Sequence, residues 1–363
     1  MTKVQLLSMD GTELAQYLKE MGESAFRAKQ LRGWLNKGVD FDRMTNLSAG
    51  LREKLAAAAT ANPVKIIETR LSQIDETAKF LYLLEDGNIV EGVLMRYHHG
   101  DTLCLSTQVG CKMGCKFCAS TLDGCVRSLT PGEMLGQVIA AGGYAGEMDE
   151  TRRVHNVVLM GSGEPFDNYE NVVKFLRLLN DPEGLGISLR NVSVSTCGLV
   201  PEMRRFAGEG LPVTLSVSLH APNDEIRKTM MPVAQAYPMD EVIGACRFYV
   251  EKTGRRVIFE YALVEGVNCA AEHADELARR LRGLQCHVNL IPLNSVKERA
   301  LEPPDRAIAE AFLRRLERNH ISATIRREMG ADIEGACGQL RRRALQEGVV
   351  PEESAARGCA RTT

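Results

Sequence analysis

Three cysteines, Cys111, Cys115 and Cys118, follow one another as C-x3-C-x2-C in the stretch CLSTQVGCKMGCKFCAS, and Cys104 opens that stretch. Thiolates are soft ligands suited to zinc and to iron–sulfur clusters. Structural zinc is normally closed by four ligands that arrive as two close pairs, and no second pair stands nearby. Ferredoxin-type clusters also take a fourth cysteine. Three thiols within eight residues therefore fit three corners of a cubane cluster whose fourth iron stays open to a substrate, with zinc as the alternative. Cys104 lies seven residues before Cys111. By itself it reads as an inward-facing strand residue.

Other groups have chemical potential but bland readings too. Glu164 sits in GSGEP, where a carboxylate and free backbone groups can take an ammonium group. Taken alone, His220 reads as a satisfied structural histidine, Ser195 as a strand-end hydroxyl and Glu91 as an exposed strand glutamate. Cys337 lies among glycines in GADIEGACGQL. Glycine accepts backbone conformations that other residues avoid, so this thiol is either a buried packing residue or a mobile, reactive one.

The elements that must position these groups can be read along the chain. Helices occupy residues 1 to about 60, with Thr12 and Ser48 as candidate N-caps and Gly22 and Gly38 as stops. Strand-like runs follow, VKIIETRLS, KFLYLLE and NIVEGVLMRY, with an Asp86-Gly87 hairpin signal between the last two. From residue 101 onward, apolar strands alternate with helices, the first helix opened by a Thr130–Glu133 capping box. Such alternation implies a parallel sheet with helices packed outside it, closed or partly closed into a barrel. In barrels the chemistry sits at the C-terminal strand ends. There the cysteine loop, GSGEP, Thr196-Cys197-Gly198, His220 and Asn294 all fall.

Composition limits the function classes. The chain has 363 residues, 44% hydrophobic and 25% charged, with a net charge of -2. No apolar run is long enough for a membrane span and no signal-peptide core opens the chain, so the expected location is the cytoplasm. Eleven cysteines in a reducing compartment argue for metal or catalytic use rather than a disulfide framework. Cys246, Cys269 and Cys286 are isolated and read as packing residues. Basic residues cluster at Arg27, Lys29, Arg32 and Lys37 around Trp34, and again at Arg341, Arg342 and Arg343. Such blocks are commonly solvated helix faces, but they can also meet phosphates.

The cysteine spacing after the first barrel strand resembles that of radical S-adenosylmethionine (SAM) enzymes, and Phe117 matches the aromatic often found before the last cysteine. Seven segments carry a narrower resemblance, to the RlmN/Cfr group of radical-SAM RNA adenosine methyltransferases and within it to the RlmN branch. They are GDTLCLSTQVGCKMGCKFCAST, VVLMGSGEPFDNYENV, VSVSTCGLVP, VSLHAPNDEIRKTMMP, GRRVIFEYALVEGVN, HVNLIPLN and GADIEGACGQL. The resemblance implies an α/β fold, a partial (βα) barrel of the radical-SAM type with an N-terminal helical accessory domain and a small β element. Its expected divisions are 1–60, helical and RNA-contacting; 61–97, a β-hairpin linker; 98–332, the core barrel; and 333–363, the catalytic-cysteine loop and tail.

The resemblance also implies roles. Cys111, Cys115 and Cys118 hold a [4Fe-4S] cluster. Gly163, Glu164, Ser195, Ser218, Leu219, His220 and Asn294 contact SAM, two molecules of which are used per turnover. Cys337 is methylated by one SAM and then gives up a hydrogen to a 5′-deoxyadenosyl radical made from the other. Cys104 resolves the protein–RNA adduct through a transient disulfide with Cys337, and Glu91 is the proton acceptor. The implied product is 2-methyladenosine in 23S ribosomal RNA and in transfer RNA anticodon loops. A one-electron donor such as flavodoxin or ferredoxin, no membrane and a monomeric state complete the expectation. Two departures stand out: Ser162 replaces a methionine common in the family motif, and Cys125 and Cys197 are additional thiols. Three other readings stay open, namely methylation at adenine C8 with resistance to ribosome-targeting antibiotics, a non-catalytic RNA-binding protein stabilised by metal, and activation of another protein.

Overall fold

The computed structural model describes residues 3–293, 301–333 and 339–346. Helices α1 (Gly11–Glu20), α2 (Arg27–Leu35) and α3 (Ala49–Ala58) form the N-terminal unit, tied by a short parallel pair, β1 (Val4–Gln5) and β2 (Ala59–Thr60). Asp10, not Thr12, caps α1: its carboxylate accepts from the Thr12 and Glu13 backbone N–H groups, and Glu13 returns the bond to Asp10. Ser48 caps α3 as expected. Leu14, Leu18, Leu31, Leu35, Leu51 and Leu55 close a small core that also takes in Ile139 of the barrel, so this unit is packed onto its neighbour.

A ten-stranded sheet follows, in the order β14-β13-β12-β11-β10-β9-β6-β5-β4-β3. The strands β3 (Val64–Leu71), β4 (Ala78–Leu84), β5 (Ile89–Tyr97) and β6 (Gly100–Cys104) are antiparallel neighbours. The remainder run parallel: β9 (Val154–Leu159), β10 (Val192–Thr196), β11 (Thr214–Ser218), β12 (Val257–Leu263), β13 (Cys286–Pro292) and β14 (Ala323–Ile325). Among the described residues the edge strands β14 and β3 are not joined to each other, so the barrel is partial. The stretch read as a hairpin linker contributes three strands that extend this one sheet. The hairpin at Asp86-Gly87 joins β4 to β5, with Gly87 at φ 84°.

Between β6 and β9 the chain forms a separate ribbon, β7 (Gln108–Gly110) with β8 (Cys125–Ser128), that frames the cysteine loop. Helices α4 (Pro131–Met148), α5 (Tyr169–Asn180), α6 (Val200–Ala207), α7 (Asp224–Met230), α8 (Met239–Thr253), α9 (Ala271–Leu281) and α10 (Arg306–Arg318) connect the parallel strands, and α11 (Gln339–Gln346) follows the last of them. Thr130 and Glu133 make the capping box that starts α4. No helix among the described residues is long and apolar enough to cross a membrane.

Successive strand residues point to opposite faces of a sheet. On β12, Val257, Phe259, Tyr261 and Leu263 join the main core under the helices, which turns Ile258, Glu260 and Ala262 inward. The same division continues into the antiparallel strands. Phe80, Tyr82, Val90 and Leu94 pack into the core with Met134 and Val138 of α4. Lys79, Leu81, Glu91 and Val93 therefore face the opposite side, with Cys104. Gly92 is required here, since a Cβ would sit 2.7 Å from the Tyr82 ring.

Candidate active site

The three loop cysteines are held by backbone geometry before any ligand is considered. Gly110 takes φ 80°, and a Cβ there would lie 2.0 Å from the Gly124 carbonyl oxygen. Cys111 N–H donates to that carbonyl at 2.8 Å. The Thr121 hydroxyl donates to the Cys115 and Cys118 carbonyls at 3.1 and 2.9 Å. Lys116 N–H reaches the Met230 carbonyl at 2.9 Å, tying the loop to the end of α7.

Cys111 and Cys115 are buried and Cys118 partly so. Burial pushes the Cys111 thiol up to about 12, and burial with the neighbouring thiols raises that of Cys115. Three crowded thiolates are thus disfavoured unless cationic metal compensates them. Among the described residues no three Cys, His or carboxylate groups converge on a point that could hold a single metal ion. Three thiols in one loop with no fourth cysteine beside them are the donor set of a cubane with one open iron rather than of a closed zinc site.

The strand ends around this loop carry the other candidates. Gly163 takes φ 112° and its missing Cβ makes room for Gln108. Glu164 is 3% exposed. Its carboxylate accepts from Cys197 N–H at 2.7 Å and Phe166 N–H at 3.0 Å. Burial pushes its pKa upward, and those hydrogen bonds oppose the shift. The Cys197 thiol and the Thr196 hydroxyl also hydrogen-bond this carboxylate, so an ammonium group would share its acceptor positions or displace one of these partners.

Ser193 and Ser216 share a hydrogen bond of 2.8 Å across the inner face, which places Ser195 and Ser218, two residues on from each, on that face too. The Leu219 side chain is wholly buried in the main core, so its backbone is what the mouth can use. His220 has a left-handed backbone, φ 57°. Its Nδ1 accepts from Ala262 N–H at 2.9 Å, which leaves the ring proton on Nε2. Burial, then the Arg227 charge, push its pKa down to about 3. The ring meets Phe117 edge-on at 4.7 Å, so it braces the cysteine loop as a neutral group.

Cys104 ends β6 and pairs with Val93 on one side and Val158 on the other. It is buried beside Met95, Val158, Met160 and Met329. Glu91 is not an exposed strand glutamate. It is 2% exposed and paired at 3.2 Å with Lys79, itself 0% exposed. Asn294 and Cys337 lie outside the described residues.

Three groups had no distinct signal in the sequence. Asn268 is wholly buried, donating to the His220 and Ala262 carbonyls at 2.8 and 2.6 Å and accepting from Val264 N–H at 2.8 Å. Arg227 is buried and donates to the Cys197 carbonyl at 2.7 Å. Lys79 opens the strand-like run KFLYLLE as its one cation, with no pattern there that marks it as buried. The basic blocks are also partly structural. Arg32 is buried on the Met9 carbonyl, Lys29 pairs with Glu183 and Arg341 is buried under β5. Lys29 and Lys37 stay exposed, the latter over the Trp34 ring at 4.8 Å, while Arg27 is half-buried and donates to Gln30 at 3.1 Å.

These arrangements have close relatives. Residues 105–281 match the radical SAM superfamily, and residues 4–61 match the ribosomal RNA large subunit methyltransferase N-terminal domain. The crystal structure of a radical SAM methyltransferase from Sphaerobacter thermophilus superposes with a TM-score of 0.90 at 44% identity, covering 93% of this chain and 98% of that one. The fold and the thiol loop are those of a radical-SAM enzyme, with a [4Fe-4S] cluster and SAM as its cofactors. Identity reaches 52% over 95% of this chain and 100% of a probable dual-specificity RNA methyltransferase RlmN from Alkaliphilus oremlandii. A relative of the same description from Lachnospira eligens is 50% identical over 96% of this chain and 98% of its own. The chain belongs to the RlmN family of radical-SAM RNA methyltransferases.

Proposed function

We propose that this chain methylates C2 of a specific adenosine in 23S ribosomal RNA and of an adenosine in transfer RNA anticodon loops. The observation that carries the reading is the similarity to dual-specificity RlmN relatives over nearly the whole chain, N-terminal unit included. The 1–60, 61–97, 98–332 and 333–363 segments then serve as RNA-contacting unit, sheet extension, barrel and catalytic-cysteine segment. The enzyme works as a cytoplasmic monomer and takes its electrons from a flavodoxin or ferredoxin.

A cluster and SAM bound here would supply methyl-transfer and one-electron radical chemistry. Cys111, Cys115 and Cys118 would hold the cluster. Glu164, with the backbone at Gly163, takes the SAM ammonium, and Ser195, Ser218, Leu219, His220 and Asn294 line the rest of that site. Cys337 receives the methyl group and later gives up a hydrogen from it, so that carbon can be delivered to a base carbon that is not itself nucleophilic. Glu91 accepts the C2 proton, and the Cys104 thiolate attacks the Cys337 sulfur, breaking its bond to the transferred carbon as the disulfide forms, so that this carbon takes up a proton and leaves as the product methyl group. Support for Cys104 comes from its place on the inner face at the end of β6, outside the loop that holds the cluster thiols.

Nucleoside mass spectrometry tests this. Reconstituted protein is incubated anaerobically with SAM, reductant and unmodified 23S RNA or transfer RNA, and the digest is compared with authentic standards. 2-Methyladenosine in both RNAs is expected. The 8-methyl isomer, or no methyladenosine from protein with an intact, reduced cluster, overturns the assignment.

A further inference from the structure

The described chain on either side of residues 334–338 is fixed to one place, the β3–β5 extension. Before that gap, the Asp332 carboxylate accepts from the Ser72 hydroxyl at 2.6 Å and from Gln73 N–H at 2.8 Å. Gly330 N–H donates to Asp75 at 2.9 Å. After the gap, the Glu91 carboxylate accepts from Arg341 N–H, one of the unsatisfied donors in the first turn of α11. The Arg341 guanidinium donates to the Ile89 carbonyl at 3.1 Å, and Leu340 and Ala344 pack on Leu81 and Ile89. Asp332 and Leu340 are thus both anchored, and Cys337 stands between them in sequence.

The anchoring face is the one that carries Cys104. Cys104 pairs with Val93, and Val93 pairs with Lys79, across three adjacent strands. At about 4.8 Å per strand, the Lys79 backbone lies roughly 10 Å from that of Cys104. Lys79 and Glu91 form a buried ion pair at 3.2 Å. A buried lysine is costly to desolvate, and the Glu91 carboxylate offsets that cost. The strand position of Lys79 fits a group that orients the Glu91 carboxylate toward α11.

We infer that Lys79 and Asp332 are positioning residues, which anchor the described chain before and after the Cys337 segment to the β3–β5 extension. Lys79 acts through Glu91 on α11, and Asp332 holds the other end through Ser72 and Gln73. The inference rests on the proposed methyl-carrying role of Cys337 for its catalytic consequence, but not for the anchoring itself.

Lys79→Met and Asp332→Ala are compared with wild type as cluster-loaded full chains. Iron content, the rate of 5′-deoxyadenosine formation and its KM for SAM are expected within twofold of wild type. Methyl incorporation at Cys337, read by peptide mass spectrometry, and RNA methylation are each expected to fall at least tenfold in Lys79→Met and several-fold in Asp332→Ala. Backbone hydrogen exchange at 341–345 is expected to accelerate at least tenfold in Lys79→Met, with barrel strands unchanged. A variant that keeps its cluster and methylates both Cys337 and RNA within twofold of wild type overturns the inference. So does unchanged exchange in Lys79→Met, or loss of SAM cleavage in parallel with methylation. If Lys79→Met does not fold, Asp332→Ala, a change at an exposed residue, decides by the same criteria, with exchange read at 330–333. Absence of methyl on Cys337 in wild type overturns the functional reading instead, and the exchange arm still judges the anchoring.

Discussion

His220 buries a ring whose pKa is pushed down to about 3, first by burial and then by the Arg227 charge. The unfolded chain holds this group near its ordinary value of about 6.5, so below that pH the unfolded state binds the extra proton. Its contribution therefore makes stability fall as pH drops from about 6.5 toward 3, by up to about 1.4 kcal/mol per pH unit. Urea unfolding of the cluster-free protein between about pH 6 and 4 should show a shallower decline in His220→Asn by up to that amount. The thiols make a second prediction at this scale. Alanine at Cys111, Cys115 or Cys118 should strip the iron, whereas Cys104→Ala should bind iron at the wild-type ratio. An iron assay on anaerobically reconstituted protein checks both, and iron loss in Cys104→Ala would contradict its place outside the ligand set.

At the scale of elements, the cysteine loop depends on the β7–β8 ribbon. Gly110→Ala would force a Cβ to within 2.0 Å of the Gly124 oxygen at a positive φ. The backbone penalty alone is about 1–2 kcal/mol, and the clash adds to it. The expected result is a destabilised loop with reduced iron loading, read by iron content and absorbance, while Gly124→Ala, with open space around it, should be milder. Asn268 links the ends of β11 and β12. Asn268→Ala would leave the His220 and Ala262 carbonyls and Val264 N–H without this partner in a buried setting. A cost of about 3–5 kcal/mol is expected from the denaturation midpoint. The Thr130–Glu133 capping box, the Asp86-Gly87 hairpin and the strand–helix alternation were legible in the sequence, because each is set by residues a few positions apart. The α1 cap was read two residues late, since Asp10 and Thr12 are both good cap residues and only the backbone at Asp10 decides between them.

For the whole molecule, the N-terminal unit packs onto the barrel through Ile139, the Gln5–Thr130 hydrogen bond and the Lys174–Glu13 pair. RNA bound by this unit would thus be held in register with the strand ends. Replacing Arg27 and Lys37 by alanine should weaken RNA binding across sequences and lower the salt dependence by about one unit for each phosphate no longer neutralised. Basal SAM cleavage without RNA should be unchanged. Filter binding over a salt series checks this, and an unaltered slope would remove these residues from the RNA interface.

The sequence by itself determined the thiol spacing, the order of strands and helices, and the placing of GSGEP, Thr196-Cys197-Gly198 and His220 at strand ends. These follow from short-range periodicity and from turn and cap chemistry. Only the tertiary structure decided which charges are spent internally. Glu91 reads as an exposed strand residue, Lys79 is a lone charge in an apolar strand run, and Arg32 and Arg341 sit in blocks that resemble phosphate patches, yet all four are buried. A charged side chain goes inside only when partners wait there, and here those partners come from distant segments: Glu91 for Lys79, Met9 for Arg32, and Ile89 for Arg341. Such pairings depend on which strands become neighbours, and no local pattern carries that information.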